Sequence, residues 1–121
     1  MKSFKFDFAK YNNSIPMIDF LEGLSLKERA LILKNIEKLI EYKNNNYSLS
    51  PKFTKPLQDG IFELKVVLQN KTSRNLYFYE HNQMIIFTNG FIKKTQKTPS
   101  KEITKAKAIR EAYYEQCSNL F

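Results

Sequence analysis

The chain has 121 residues, 42% of them hydrophobic, with ten Phe and seven Tyr, which suffices for one aromatic-rich core but not for two, so a single domain over 1–121 is expected. Its formal charge of +8 is concentrated between residues 52 and 110, where twelve Lys/Arg face four Asp/Glu; such a field gathers polyanions and leaves nucleic acid, an anionic membrane or an acidic protein as partner classes. The lone cysteine, Cys117, excludes an intramolecular disulfide and a Cys-based zinc site and points to a reducing compartment.

The opening Met1-Lys2-Ser3-Phe4-Lys5-Phe6-Asp7 lacks the apolar stretch of a signal peptide, and no run of about 18 apolar residues occurs anywhere, so a soluble cytoplasmic protein with no membrane partner is expected. Phe4, Phe6 and Phe8 alternate with Lys5 and Asp7, the period-two pattern of a strand with one buried face. Ser14 and Pro16 suit the first turn of a short helix over Ile15–Glu22 that Gly23 ends. Ser25-Leu26-Lys27-Glu28 reads as a capping box, and Leu26, Ala30, Leu33, Ile36 and Ile40 continue an amphipathic helix to about Tyr42. From Lys43 to Gly60 the chain is rich in Asn and Pro and loses its periodicity, which predicts a loop carrying Lys52 and Lys55.

Three strand-like runs follow, Phe62–Leu68, Arg74–Tyr79 and Met84–Phe91, separated by polar turns at Gln69-Asn70-Lys71-Thr72 and Glu80-His81-Asn82-Gln83, so an antiparallel meander is expected. Met84-Ile85-Ile86-Phe87 is apolar on both parities, as in a strand covered on both faces, and is expected to pair with the first strand. Thr98 as N-cap and Pro99 at the first helical position open a last helix with Ile103, Ala106, Ile109 and Tyr113 on one face. The predicted fold is α+β: an N-terminal strand, a helical hairpin, a three-stranded antiparallel meander and a C-terminal helix. Its four-stranded sheet has the hairpin on one face and the other face partly open.

Alternation sends Phe62, Leu64, Val66 and Leu68 to the core and places Glu63 and Lys65 on the open face, where Arg74 on the next strand can reach a phosphate with its guanidinium fork. The densest basic signal is Lys93, Lys94 and Lys97 in the junction between the last strand and the last helix, a place where loops often hold sites on a rigid frame. A solvated edge arginine and a solvated lysine run are the plain alternatives. His81 reads as an exposed turn residue and Cys117 as a helix-face residue. The carboxylates Asp7, Asp19, Asp59, Glu63 and Glu80 are scattered over different elements, so no metal and no cofactor is expected.

Asp59-Gly60-Ile61-Phe62-Glu63-Leu64-Lys65, Arg74 ahead of Tyr77-Phe78-Tyr79, the string from Gly90 to Pro99 (GFIKKTQKTP), and then Glu102-Ile103, Ala106 and Arg110 together resemble the phage-related HigB branch of the RelE toxin superfamily, most specifically from Leu57 to Arg110. The resemblance implies the toxin of a type II toxin–antitoxin system, a ribonuclease acting on messenger RNA at the ribosome and silenced by a cognate antitoxin, often of helix-turn-helix type. RNA supplies its own nucleophile: the 2′-OH attacks the adjacent phosphate in line and leaves a 2′,3′-cyclic phosphate and a 5′-OH, so the protein must contribute position and charge. On this reading Arg74 grips the scissile phosphate and Lys65 stabilises its added negative charge. Lys94 or Lys97 protonates the leaving oxygen, and Lys93 holds the flanking backbone. Lys52, Lys55, Lys101 and Tyr77 are further RNA contacts. The general base is Glu63 or a lysine crowded by other cations.

Two departures from the RelE pattern stand out. Glu63 occupies a position where relatives often carry Lys, and Glu102, Ile103 and Thr104 stand where ribosome-dependent relatives often place a base-stacking Tyr, leaving Tyr77 or Tyr79 for that task. A ParE-like gyrase inhibitor of the same fold and a non-catalytic RNA-binding module are the competing readings.

Overall fold

The structure, a computed structural model, describes residues 3–81 and 83–119. Met1 and Lys2 of the N-terminal reading and Asn82 of the second predicted turn lie outside the described residues. In chain order the elements are β1 (Lys5–Phe8), α1 (Pro16–Glu22), α2 (Leu26–Asn44), β2 (Thr54–Pro56), β3 (Phe62–Leu68), β4 (Lys71–Glu80), β5 (Met84–Ile92) and α3 (Ser100–Asn119). The fold is α+β, with one mixed sheet in the order β1-β5-β4-β3-β2.

Five strands replace the four expected. The meander β3-β4-β5 is antiparallel and β5 pairs with β1, in parallel, matching Phe6 with Ile85 and Phe8 with Phe87. The added strand, β2, lies inside the segment read as a loop and pairs antiparallel with β3, Thr54 opposite Leu64 and Pro56 opposite Phe62. Three residues leave no room for alternation, and proline is tolerated at an outer edge because no neighbouring strand needs its missing N–H. β4 also starts earlier than expected, since the turn before it is only Gln69-Asn70, with Asn70 at φ 63°.

The capping box forms: Ser25 Oγ accepts from the Glu28 N–H at 3.1 Å and Glu28 Oε1 accepts from the Ser25 N–H at 3.0 Å. The buried stripe of α2 is Ile32, Ile36 and Leu39, rotated from the one anticipated, and Leu26 is left 77% exposed at the helix start. With Met17 and Leu21 of α1, that stripe covers Leu64, Val66 and Leu68 of β3 and Tyr77 and Phe87 of the central strands. At Gly90 the hairpin comes so close that a Cβ would stand 2.7 Å from Phe20 Cε2.

The opposite face is not open over its centre. Ala106 and Ile109 of α3 pack there on Leu76, Phe78 and Ile86, joined by Ile61. The bulge that puts Thr88 between the Leu76–Asn89 and Tyr77–Phe87 pairs turns both Thr88 and Asn89 into hydrogen-bonding work: Thr88 Oγ1 donates to the Leu76 carbonyl, and Asn89 Nδ2 donates to Glu102 Oε1 at 3.1 Å, tying α3's first turn to β5. Among the described residues no helix is long and apolar enough to cross a membrane.

Candidate functional site

The strand register lays out the basic face row by row. Lys55, Glu63 and Leu76 are successive partners across β2, β3 and β4; Lys65, Arg74 and Phe91 form the next row; Val67 stands opposite Thr72, whose carbonyl accepts from the Lys93 N–H at 2.7 Å. Because direct partners share a face, Lys55, Glu63, Lys65 and Arg74 all project to one side. The sequence expectation holds to this extent.

It fails for what two of them do there. Glu63 is 2% and Arg74 3% exposed, so neither is solvated and neither is open to a phosphate. Arg74 Nη1 lies 3.1 Å from Glu63 Oε1, and Thr98 Oγ1 completes a triangle, 2.6 Å from both atoms. Arg74 Nη2 donates to the carbonyls of Thr95 and Gln96. The segment from Lys93 to Pro99 is thus folded back as a roof over Glu63 and Arg74. A buried carboxylate in this sheet needs a charged partner, and a buried guanidinium with its many donors needs acceptors beyond one carboxylate; the roof's carbonyls supply them to Nη2, while Nε has no partner among the described residues. Thr98, expected to cap α3, spends its hydroxyl on this pair, and the helix begins at Ser100 instead. Proposing Glu63 as general base and Arg74 as phosphate grip therefore conflicts with their burial and their partners.

The lysines behave differently. Within the roof Lys94 and Lys97 are exposed and Lys93 is half-buried, as is Lys65 on β3. Lys97 lines a groove of about 320 Å³ together with Lys55, Thr98 and Ser100. On the other side of the roof Lys94 and Lys101 line a second groove of about 490 Å³ with Phe20, Phe91 and Pro99. Lys93 Nζ donates to Gln96 Oε1 within the roof, and Thr95 Oγ1 donates to the Lys97 carbonyl. Lys52 is exposed in the turn before β2, away from these contacts.

Among the described residues, Lys55, Lys65, Lys94, Lys97 and Lys101 make no ion pair. Several other cations are occupied. Lys71 pairs with Glu28, and Lys107 stands 2.8 Å from Asp59 Oδ2, holding that carboxyl below its ordinary value; Arg110 donates to the Asp59 carbonyl and Arg29 to the carbonyls of Leu21 and Leu24.

Tyr77 does not belong to this surface. It is fully buried on the α1–α2 face with its hydroxyl 2.6 Å from Thr54 Oγ1, and burial pushes its phenol far above the usual tyrosine value. It cannot stack on a base. Tyr79, half-buried on the same side, packs edge-on against Phe62. His81 is exposed at its turn, next to Glu80. Among the described residues no group of three or more His, Cys, Asp or Glu is arranged to hold a metal ion.

The model of the family described as Phage derived protein Gp49-like (DUF891) matches residues 19–111. The chain belongs to this family. The Gp49-like family is of the toxin type found in toxin–antitoxin systems. None of the curated proteins matches the chain. The Gp49-like match runs from α1 into α3 and so contains both grooves, the roof and every predicted site residue.

Thr98 is the functional residue that sequence reasoning misassigned. A signal for it existed: opposite charges at Glu63 and Arg74, on one face of adjacent strands, are an ion pair in waiting, and whichever polar residue closes over them becomes part of it.

Proposed function

We propose that this chain is the toxin of a type II toxin–antitoxin system and cuts messenger RNA on the translating ribosome, as an endoribonuclease that needs no metal. The observation that carries the reading is a set of lysines that, among the described residues, make no ion pair and flank one loop: Lys55 and Lys97 in one groove, Lys94 and Lys101 in the other, with Lys65 on the sheet. Five cations grouped around one loop suit a polyanionic strand that crosses the loop.

In this reading the RNA backbone lies across the roof. Its 2′-oxygen attacks the neighbouring phosphorus, the bond to the 5′-oxygen breaks, and a 2′,3′-cyclic phosphate and a 5′-OH result. Lys65 stabilises the charge that builds on the phosphate, Lys97 or Lys94 gives a proton to the departing 5′-oxygen, and Lys93 and Lys101 hold the flanking phosphates. Lys52, exposed in the turn before β2, is a further cation for the RNA backbone. The partner is a cognate antitoxin, of helix-turn-helix type in keeping with the RelE/HigB resemblance, that covers the lysine surface. The protein works in the cytoplasm, residues 1–121 acting as one domain without a cofactor.

The test is translation of a defined message in an extract containing the purified protein, with mapping of RNA ends. New 5′-OH and cyclic-phosphate ends appear with wild type, and Lys65→Ala lowers the cleavage rate about 100- to 1,000-fold, the usual loss when one transition-state donor is removed. A message that stays intact with folded wild-type protein overturns the reading.

A further inference from the structure

The lysine roof carries 93, 94 and 97 on a short segment between Ile92 and Ser100, yet no apolar side chain from the segment's tip anchors it: Lys94, Thr95, Gln96 and Lys97 are all exposed. What fastens it to the sheet is polar. Arg74 reaches up from β4 to the carbonyls of Thr95 and Gln96, and Thr98 reaches down to Glu63 on β3 and to Arg74. The segment's start is also held by the Lys93 N–H on the Thr72 carbonyl of β4, but the contacts of Thr95, Gln96 and Thr98 converge on one ion pair that is itself almost wholly buried.

A buried pair of this kind adds little net stability over an apolar pair of the same size, so stability alone is a weak reason for it. Its geometry offers a better one. A guanidinium presents its donors in a fixed fork, and two of them here meet consecutive carbonyls, which sets the path of the segment as well as its distance from the sheet. Charge-assisted hydrogen bonds in a dry site hold such a path tightly.

We propose that Glu63, Arg74 and Thr98 form a latch that fixes the Lys93–Lys97 segment against β3 and β4, and that they are positioning residues which never touch RNA. Lys94 and Lys97 then present their ammonium groups at a set place relative to Lys65, although each sits on an exposed turn. The activity arm of this inference rests on the cleavage reading above; the structural arm does not.

The informative variant is Thr98→Val, which removes the shared hydroxyl at nearly constant shape, with Thr98→Ser as the conservative control. Arg74→Ala is the poorer tool because it strands the Glu63 carboxylate. Two measurements are made on each folded protein. The first is the rate of limited tryptic cleavage after Lys94 and Lys97: it rises several-fold in Thr98→Val and returns to the wild-type rate in Thr98→Ser. The second is single-turnover cutting of a short message programmed on ribosomes, read as maximal rate against half-saturating protein concentration. Thr98→Val lowers the maximal rate about 100-fold, the scale of an ångström-level misplacement, with half-saturation little changed, and Thr98→Ser restores it.

Equal tryptic rates in wild type and Thr98→Val overturn the latch. So does a faster-cut loop whose maximal rate of RNA cleavage is unaltered, since the latch would then position nothing. If wild type itself leaves the message whole, the cleavage reading has failed and the tryptic comparison alone decides whether the latch exists.

Discussion

Lys65 and Arg74 are direct partners across the β3–β4 ladder and project to the same side of the sheet, yet Lys65 is half-buried without an ion pair among the described residues and Arg74 is 3% exposed with four oxygens around its guanidinium. The line between a group available to a ligand and a group enclosed by the fold passes between two neighbouring side chains, and the roof draws it.

That enclosure makes the two arms of the ion pair unequal in their tolerance of change. Arg74→Met leaves Glu63 buried and uncompensated and should destabilise the protein by about 3–5 kcal/mol, whereas replacing both partners, Glu63→Leu with Arg74→Met, should recover most of that loss. Urea unfolding of the four members of this cycle checks it. Additive losses from the two single variants would show that the groups do not face each other in a dry site.

The contact of α1 with the sheet makes a second prediction. A Cβ on Gly90 would collide with Phe20 Cδ2 and stand 3.0 Å from Asn75 Oδ1, so Gly90→Ala forces α1 outward or Phe20 off its rotamer and should cost about 1–3 kcal/mol. Phe20→Leu in the Gly90→Ala background should regain part of the loss. Thermal unfolding of the single and double variants decides, and a Gly90→Ala protein as stable as wild type would contradict the close approach.

How much of this could be read from the residues alone depends on the range of the interaction involved. Alternation in Phe62–Leu68 and the Ser25-Leu26-Lys27-Glu28 box are local signals, and both strand β3 and the cap of α2 follow them. β2 was hidden because its pairing is imposed by β3 and not by its own three residues. The facing of Glu63, Lys65 and Arg74 was legible from parity. Their burial was not, because it depends on a segment some twenty residues further on folding back over them. Thr98 shows the competition directly: a local rule made it a helix cap, and two buried charges outbid the helix for its hydroxyl. Tyr77 erred the other way, since an aromatic strand residue suits a stacking platform and a core equally well until the helical hairpin covers its face.

Acid should weaken the junction between α2 and the β3–β4 turn. The Ser25 N–H, and after it the Lys71 ammonium at 3.0 Å, hold the Glu28 carboxyl below its ordinary value of 4.5. A carboxylate whose folded value is depressed stabilises the fold above its unfolded value and loses that contribution as pH falls through the folded one. Glu28→Gln keeps a hydrogen-bond acceptor for the capping box and removes only the charge. The melting temperature of wild type should therefore exceed that of Glu28→Gln near neutrality, with the gap closing as pH is lowered from about 5 and shrinking with added salt. A gap independent of pH would mean that the carboxylate's charge contributes nothing there.

Tyr77 separates the core from the proposed RNA surface. Its hydroxyl shares a hydrogen bond with Thr54, which also donates to the Glu63 carbonyl at 2.7 Å, so the phenol helps to hold edge strand β2 against β3 from the face opposite the lysines. Tyr77→Phe removes one buried hydrogen bond and should cost about 1 kcal/mol in urea unfolding. RNA cutting by the folded variant should be unchanged. Lys97→Ala should show the reverse, since its side chain is exposed in the groove beside Lys55: stability within about 0.5 kcal/mol of wild type, the usual range for surface changes, and a clear fall in cleavage rate. A Tyr77→Phe protein of wild-type stability would be the behaviour of a phenol in water, and would reopen the stacking role that burial denies it.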